Sequence, residues 1–215
     1  FDRSPSIKFV QPQLAVHSMA KVYPHTPTRS SYMTSRRETF TVWMKSLVFH
    51  GNGCTVFDSN GEIVYRIDNY ERKCSSQVYL MDLQGRVLFS IQRKKLQVFR
   101  CWDGYKWSDS TANKESPWFQ VRKDFKILRK DMTFSVTLGC GKAKSSCYKI
   151  VGLPGKSAFK IIDTNGRIVA EVKQKQSSSG VSLGDDVLTL AVEPQMDHSL
   201  ITALVTVYEL INHKM

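Results

Sequence analysis

The last stretch of the chain, residues 197–213 (Asp-His-Ser-Leu-Ile-Thr-Ala-Leu-Val-Thr-Val-Tyr-Glu-Leu-Ile-Asn-His), constrains the fold more than any other. Asp197 suits a helix N-cap, because its carboxylate can accept from the free amides of a first turn and complement the helix dipole. Asn212 and His213 suit a frayed end. Between them Leu200, Ile201, Ala203, Leu204, Val205, Val207, Tyr208, Leu210 and Ile211 run around the whole helical wheel. A helix apolar on all sides must be buried on all sides, in a protein core or in a bilayer. The longest run without formal charge, His198 to Tyr208, is 11 residues, against the roughly 18–20 that a span requires. Its β-branched content would also suit a strand. We read residues 197–213 as a core helix around which the rest of the chain is wrapped.

The remainder divides by texture. Residues 1–38 hold Pro5, Pro12, Pro24 and Pro27, nine Ser/Thr, six Lys/Arg and two acids, without sustained periodicity. That is the composition of a disordered basic tail; being acid-poor and Ser/Arg-containing, it also resembles an organelle transit peptide. From Phe40 onward, residues 39–215 read as one β-rich domain. Short apolar runs bounded by turn signals predict strands over 40–45, 54–58, 62–67, 78–82, 87–93, 96–102, 118–123, 132–138, 148–152, 158–163, 167–173 and 187–192. A polar loop is expected around 103–116, and Pro194 breaks the chain before the helix.

Three of the predicted hairpins repeat one pattern, apolar-apolar-Asp-x-x-Gly-polar-apolar-apolar, at residues 56–65, 80–89 and 161–170. The Asp can bond the amides of its own turn and the Gly supplies a positive φ, so the device sets strand register. Asp58, Asp82 and Asp163 sit one to a turn, whereas calcium loops cluster several carboxylates close together. A sheet of about twelve antiparallel strands must deal with its edges, and closure into a barrel removes them. Such a barrel is too wide for its own side chains to fill, and an all-apolar helix would fill it. The fold expected is mainly β: a closed barrel enclosing the C-terminal helix.

Trp43-Met44-Lys45-Ser46-Leu47, Cys54-Thr55-Val56-Phe57-Asp58 running into an Asn-Gly turn, Leu80-Met81-Asp82-x-x-Gly85, and Asp197-x-x-Leu200-Ile201-x-Ala203-Leu204-Val205 resemble the plant LURP-one-related family. The likeness covers about 40–213. It implies the barrel shared with the tubby C-terminal domain and the phospholipid scramblases, twelve antiparallel strands around a hydrophobic helix. It also implies a link to plant defence, no assigned enzyme activity, and, by analogy with tubby, a membrane-tethered regulator that binds phosphoinositides. The headgroup-binding residues of tubby do not align by motif with this sequence, so none is carried over, and fold analogy by itself is a weak warrant for function.

No catalytic constellation emerges, and we expect no enzyme. His17, His25, His50, His198 and His213 lie in no Cys/His or Ser/His context, and His198 reads as a packing or surface residue. Gly139-Cys140-Gly141-Lys142-Ala143-Lys144-Ser145 falls short of a phosphate loop, with Val136 at the first glycine position and Ala143 in place of Ser/Thr. No zinc cluster, metal site or cofactor is expected. The five cysteines, Cys54, Cys74, Cys101, Cys140 and Cys147, are odd in number and no two are spaced Cys-x-x-Cys; there is no Asn-x-Ser/Thr acceptor. Both points favour a reducing, intracellular setting, cytoplasmic with peripheral plasma-membrane or nuclear association. No signal peptide or transmembrane span is read, and the chain, opening on Phe1, is taken as a fragment.

Charge is the remaining signal. The net charge of +12 suggests an anionic partner, an acidic membrane surface or nucleic acid, with solubility alone as the competing account. Residues 90–130 carry eleven Lys/Arg against four Asp/Glu, and residues 141–160 carry five Lys and no acid. Arg93, Lys94, Lys95, Arg122, Lys123, Lys126, Arg129, Lys130, Lys142 and Lys144 are the candidate lipid-headgroup residues, with Trp102, Tyr105, Trp107 and Trp118 nearby as interfacial aromatics. Were the two regions to meet at one barrel end, they would make a concave cationic surface. Protein partners are an alternative. Nucleic acid is permitted by charge but supported by no motif, and the oligomeric state is open.

Overall fold

The structure is a computed structural model and describes residues 32–33, 35–45, 53–68, 77–94, 101–107, 116–124, 132–139, 145–153 and 158–212. Among them are twelve strands and one helix. The strands are β1 (Glu38–Trp43), β2 (Gly53–Phe57), β3 (Ile63–Asp68), β4 (Gln77–Asp82), β5 (Val87–Arg93), β6 (Cys101–Lys106), β7 (Phe119–Lys123), β8 (Met132–Leu138), β9 (Ser145–Gly152), β10 (Phe159–Asp163), β11 (Ile168–Gln174) and β12 (Val187–Val192). The helix is α1 (His198–Ile211). Each strand pairs antiparallel with its sequence neighbours, and β1 pairs with β12 from Glu38↔Val192 to Trp43↔Val187, which closes the barrel. Among the described residues, closure leaves no edge strand to template aggregation.

The barrel wall follows the period-2 rule, with alternate residues facing inward. Phe40 and Val42, Phe89 and Ile91, Leu188 and Leu190 all face a core with less than 5% exposure. Against this lining sits α1, buried from Ser199 to Glu209 and again at Ile211. Its two inner threonines are handled locally. The Thr202 hydroxyl donates to the His198 carbonyl at 2.7 Å and the Thr206 hydroxyl to the Thr202 carbonyl at 2.9 Å, so neither needs a partner in the apolar lining. Asp197 caps the helix as expected, its Oδ1 accepting from the amides of Ser199 at 2.9 Å and Leu200 at 3.2 Å.

The helix runs along the barrel and defines two mouths. At the N mouth, His198 lies against Phe40 and Tyr65, and Asp197 bridges Met33. At the C mouth, Tyr208 stacks on Phe159, with ring centroids 3.9 Å apart, and its hydroxyl donates to the Leu153 carbonyl at 3.4 Å. The three repeated turns all lie at the N mouth and are built alike. In each, one Asp oxygen accepts from the amides two and four residues on, at 2.8–3.0 Å, for Asp58, Asp82 and Asp163. Gly61, Gly85 and Gly166 take the left-handed φ of 83°, 74° and 81°, and a register shift follows each device in its strand pair.

One strand departs from the sequence reading. The sequence places it at 96–102 with a polar loop from Asp103; β6 spans Cys101–Lys106 instead, and residues 95–100 lie outside the described ones. Asp103 belongs to the wall because it is 2% exposed and accepts from Gln120 Nε2 at 2.8 Å. Gly104 belongs there because the ring of Phe119 occupies the place of a Cβ, 2.1 Å away. A paired acid and a covered glycine make a strand that hydropathy does not show. Of the polar N-terminal stretch, Tyr32 and Met33 are fastened over the helix start: the His198 amide donates to the Tyr32 carbonyl at 3.0 Å.

Truncating the fully buried Leu204 to Ala should cost about 2–5 kcal/mol, read as a lowered urea midpoint. Gly152→Ala should cost about 1–3 kcal/mol, since the new Cβ would lie 2.2 Å from the Tyr208 hydroxyl. Near-wild-type midpoints in both variants would contradict a helix locked into the barrel.

Candidate functional site

Interior chemistry is limited by burial. The Cys54 thiol is pushed up by burial first and by Glu209 next, which keeps it protonated and unreactive. Cys101, on the outer wall, is raised by burial and by Asp103, against a hydrogen bond from Arg122. Among the described residues no group of three His, Cys, Asp or Glu is placed to hold a metal. The carboxylates of Asp58, Asp82 and Asp163 are occupied by their own turns, with Arg86 Nε 2.7 Å from Asp82 and Arg167 Nε 3.1 Å from Asp163.

His198 is a packing residue. Its ring meets Tyr32, Phe40 and Tyr65 at centroid distances of 5.9, 5.4 and 5.7 Å. The Tyr65 hydroxyl lies 2.7 Å from Nδ1; burial pushes that phenol up, so it keeps its proton and shares a hydrogen bond with the imidazole. Burial lowers the imidazole pKa, opposed by Glu38 and Asp197.

Four of the ten candidate cations lie among the described residues, and all four are at the C mouth. Arg93 ends β5, Lys94 follows it, and Arg122 and Lys123 end β7. The intervening β6 ties them together through Arg93↔Trp102, Trp102↔Val121 and Cys101↔Arg122. By alternation Arg93 and Lys123 continue the inward rows of Ile91 and Val121 past the end of the wall, onto the rim, while Lys94 and Arg122 face outward. Lys94 reaches Asp103 at 3.6 Å. Arg93, Arg122 and Lys123 have no carboxylate within ion-pair distance among the described residues. Lys95, Lys126, Arg129, Lys130, Lys142 and Lys144 lie outside the described residues. Leu138 and Ser145, the strand ends that flank Lys142 and Lys144, pair at the N mouth, whereas Gly152 and Phe159, which flank Lys156, pair at the C mouth.

Acids at the C mouth are largely engaged. Arg66 holds Asp68 at 2.8 Å, Lys45 holds Asp186 at 3.0 Å, and Ser135 donates to Asp124 at 2.7 Å. Glu171 takes Lys173 at 2.7 Å and Lys160 at 3.5 Å. Two shallow outer grooves of about 450 and 490 Å³ share Glu171 and Lys173 and adjoin Lys160 and Arg37. Lys173 and Lys175 were not singled out from sequence, although the alternation of β11 around buried Ala170 and Val172 sets Glu171 and Lys173 outward.

Residues 38–209 match the family model described as LURP-one-related. Protein LURP-one-related 11 of Arabidopsis thaliana is 45% identical over 208 residues, covering 91% of this chain and 90% of that protein. Protein LURP-one-related 4 of the same plant is 47% identical over 196 residues, covering 90% and 87%. A crystal structure of an Arabidopsis thaliana protein superposes with a TM-score of 0.62 at 16% identity, covering 84% of this chain and 94% of that one. The structural likeness concerns the fold.

The lowered pKa of His198 fixes the sign of a pH effect. Between the folded value and about 6.5 the unfolded chain binds the extra proton, so stability falls as pH drops through about 6.5. Urea midpoints measured from pH 7.5 to 5 should decline in the wild type and decline less steeply in His198→Gln; equal slopes would contradict a buried neutral imidazole.

Proposed function

The chain belongs to the LURP-one-related family, and we propose that it is a non-enzymatic binding and regulatory protein whose C mouth engages anionic phospholipid headgroups, phosphoinositides included. The observation that supports this most is the set Arg93, Arg122 and Lys123 on the ends of β5 and β7, which flank β6, free of carboxylate partners among the described residues. Each Lys or Arg near an anionic leaflet contributes about 1 kcal/mol. Three or four such residues give weak, salt-sensitive recruitment suited to a regulator that comes and goes. A role in plant defence rests on the family resemblance alone.

Lipid movement of the scramblase kind is disfavoured. Among the described residues no helix is long and apolar enough to cross a membrane, and α1 is committed to the core. The cations at the C mouth have a competing structural role. The last turn of α1 carries no basic residue, and rim cations could complement its negative end by roughly 0.3–1 kcal/mol. A protein-interaction or nucleic-acid-binding regulator that does not touch lipid is the alternative function.

Co-sedimentation of the full chain with phosphatidylcholine vesicles, with and without phosphatidylserine or phosphoinositide, separates these. Binding should require the anionic lipid, weaken with salt, and fall at least about tenfold in Arg93→Glu/Lys123→Glu while the melting temperature stays close to wild type. A lowered melting temperature with unchanged binding would assign the cations to the helix end. Binding to none of the vesicles would overturn the lipid reading.

A further inference from the structure

The exposed apolar side chains divide between the mouths. Met33, Leu83, Trp107 and Ile168 lie at the N mouth; Leu153, Val181 and Leu183 lie at the C mouth. Charge tells the two sets apart. At the N mouth Arg86 and Arg167 are paired inside their own turns, Arg37 is paired to Glu193, and Lys106 lies over the Trp118 ring. At the C mouth apolar tips and carboxylate-free cations share one rim.

The connection from β11 to β12 is built to hold its tip rigid. The Ser177 amide donates to the Val181 carbonyl at 2.8 Å, the Gly180 amide to the Ser177 carbonyl at 3.0 Å, and the Val181 amide to the Ser177 hydroxyl at 3.2 Å. Gly180 turns the chain with φ 79°. The Leu183 amide donates to the Lys175 carbonyl at 3.0 Å, and Gln176 bridges Ser182. A hydrogen-bonded hairpin thus projects Val181, 63% exposed, and Leu183, 50% exposed. Lys173, paired to Glu171, and Lys175, donating to the Thr41 hydroxyl, stand at its neck, with Asp185 and Asp186 just before β12. Leu153, 42% exposed, follows β9, about 10 Å along the rim at two strand spacings. Apolar tips on an ordered turn, on the same rim as Arg93, Arg122 and Lys123, are the chemistry of a surface that seats on an anionic bilayer, the aliphatic groups entering the acyl boundary and the rim cations staying among headgroups.

Resting on the lipid reading above, we propose that the 175–186 hairpin is the membrane-insertion element of this barrel, with Val181 and Leu183 entering the bilayer and Leu153 seated beside them. The C mouth then faces the membrane and the N mouth, with Tyr32 and the three Asp-x-x-Gly turns, faces away. Hydrophobic insertion persists in salt, whereas the cationic attraction is screened.

The test measures partition of the full chain onto phosphatidylcholine/phosphatidylserine vesicles at low and high salt. Val181→Ser/Leu183→Ser should lower partition about tenfold or more and abolish what remains at high salt. Leu83→Ser/Trp107→Ser at the N mouth should change it little. All four side chains are exposed, so melting temperatures should hold. Wild-type binding that the hairpin variant retains in full would overturn the insertion proposal and leave the headgroup reading standing, with the tip then serving a protein partner. Loss of binding in the N-mouth variant alone would overturn the orientation. A wild type that binds no vesicle would overturn both readings.

Discussion

A helix with no polar face can exist in water only inside something, and the rest of this molecule is that enclosure. Ile201, Ala203, Leu204, Val207 and Tyr208 have no exposed surface, and the wall they meet closes through β1 and β12. Neither part is sufficient alone. The barrel without α1 would be a wide empty cylinder, and α1 without the barrel would expose its whole apolar girth. Part of the helix's polar content is satisfied internally, by Asp197 at its start and by the Thr202 and Thr206 back-bonds, while His198 and Tyr208 bond the surrounding wall at Tyr65 and Leu153.

A filled lumen moves function outward. No ligand can share the space that α1 occupies, so recognition is left to the wall and the two mouths. The mouths were finished differently. At the N mouth, charge is spent locally: Asp82 with Arg86 and Asp163 with Arg167 close turns and set register. At the C mouth the strand ends carry cations whose charge is not returned by described carboxylates. The rigid 175–186 hairpin adds exposed aliphatic tips to the same rim. That asymmetry gives the barrel an orientation.

Much of the fold was legible because its signals are local. The Asp-x-x-Gly turns follow from the geometry of four or five residues, and the wheel of α1 from fourteen. What escaped was whatever depends on distant partners. Asp103 and Gly104 read as loop because their warrants, Gln120 and the Phe119 ring, lie on another strand. Tyr32 and Met33 sit in a polar stretch, yet their anchors are His198, Asp82 and Asp197, far along the chain. The site was half legible. Charge counting found Arg93, Lys94, Arg122 and Lys123, but only topology shows that 93–94 and 122–123 share a mouth while the strand ends flanking Lys142 and Lys144 belong to the other. Counting could not see that Lys160 and Lys173 are committed to Glu171.

Amide hydrogen exchange of the full chain, free and bound to anionic vesicles, tests the central claim most directly, because it reports which mouth meets the bilayer and whether the helix stays inside. Added protection should appear at residues 93–94, 122–123 and 176–183, while the amides of α1 remain the slowest to exchange in both states. Protection gathered instead at 58–62, 83–86 and 164–167, or faster exchange along α1 on binding, would contradict a barrel that docks by its C mouth with its core intact.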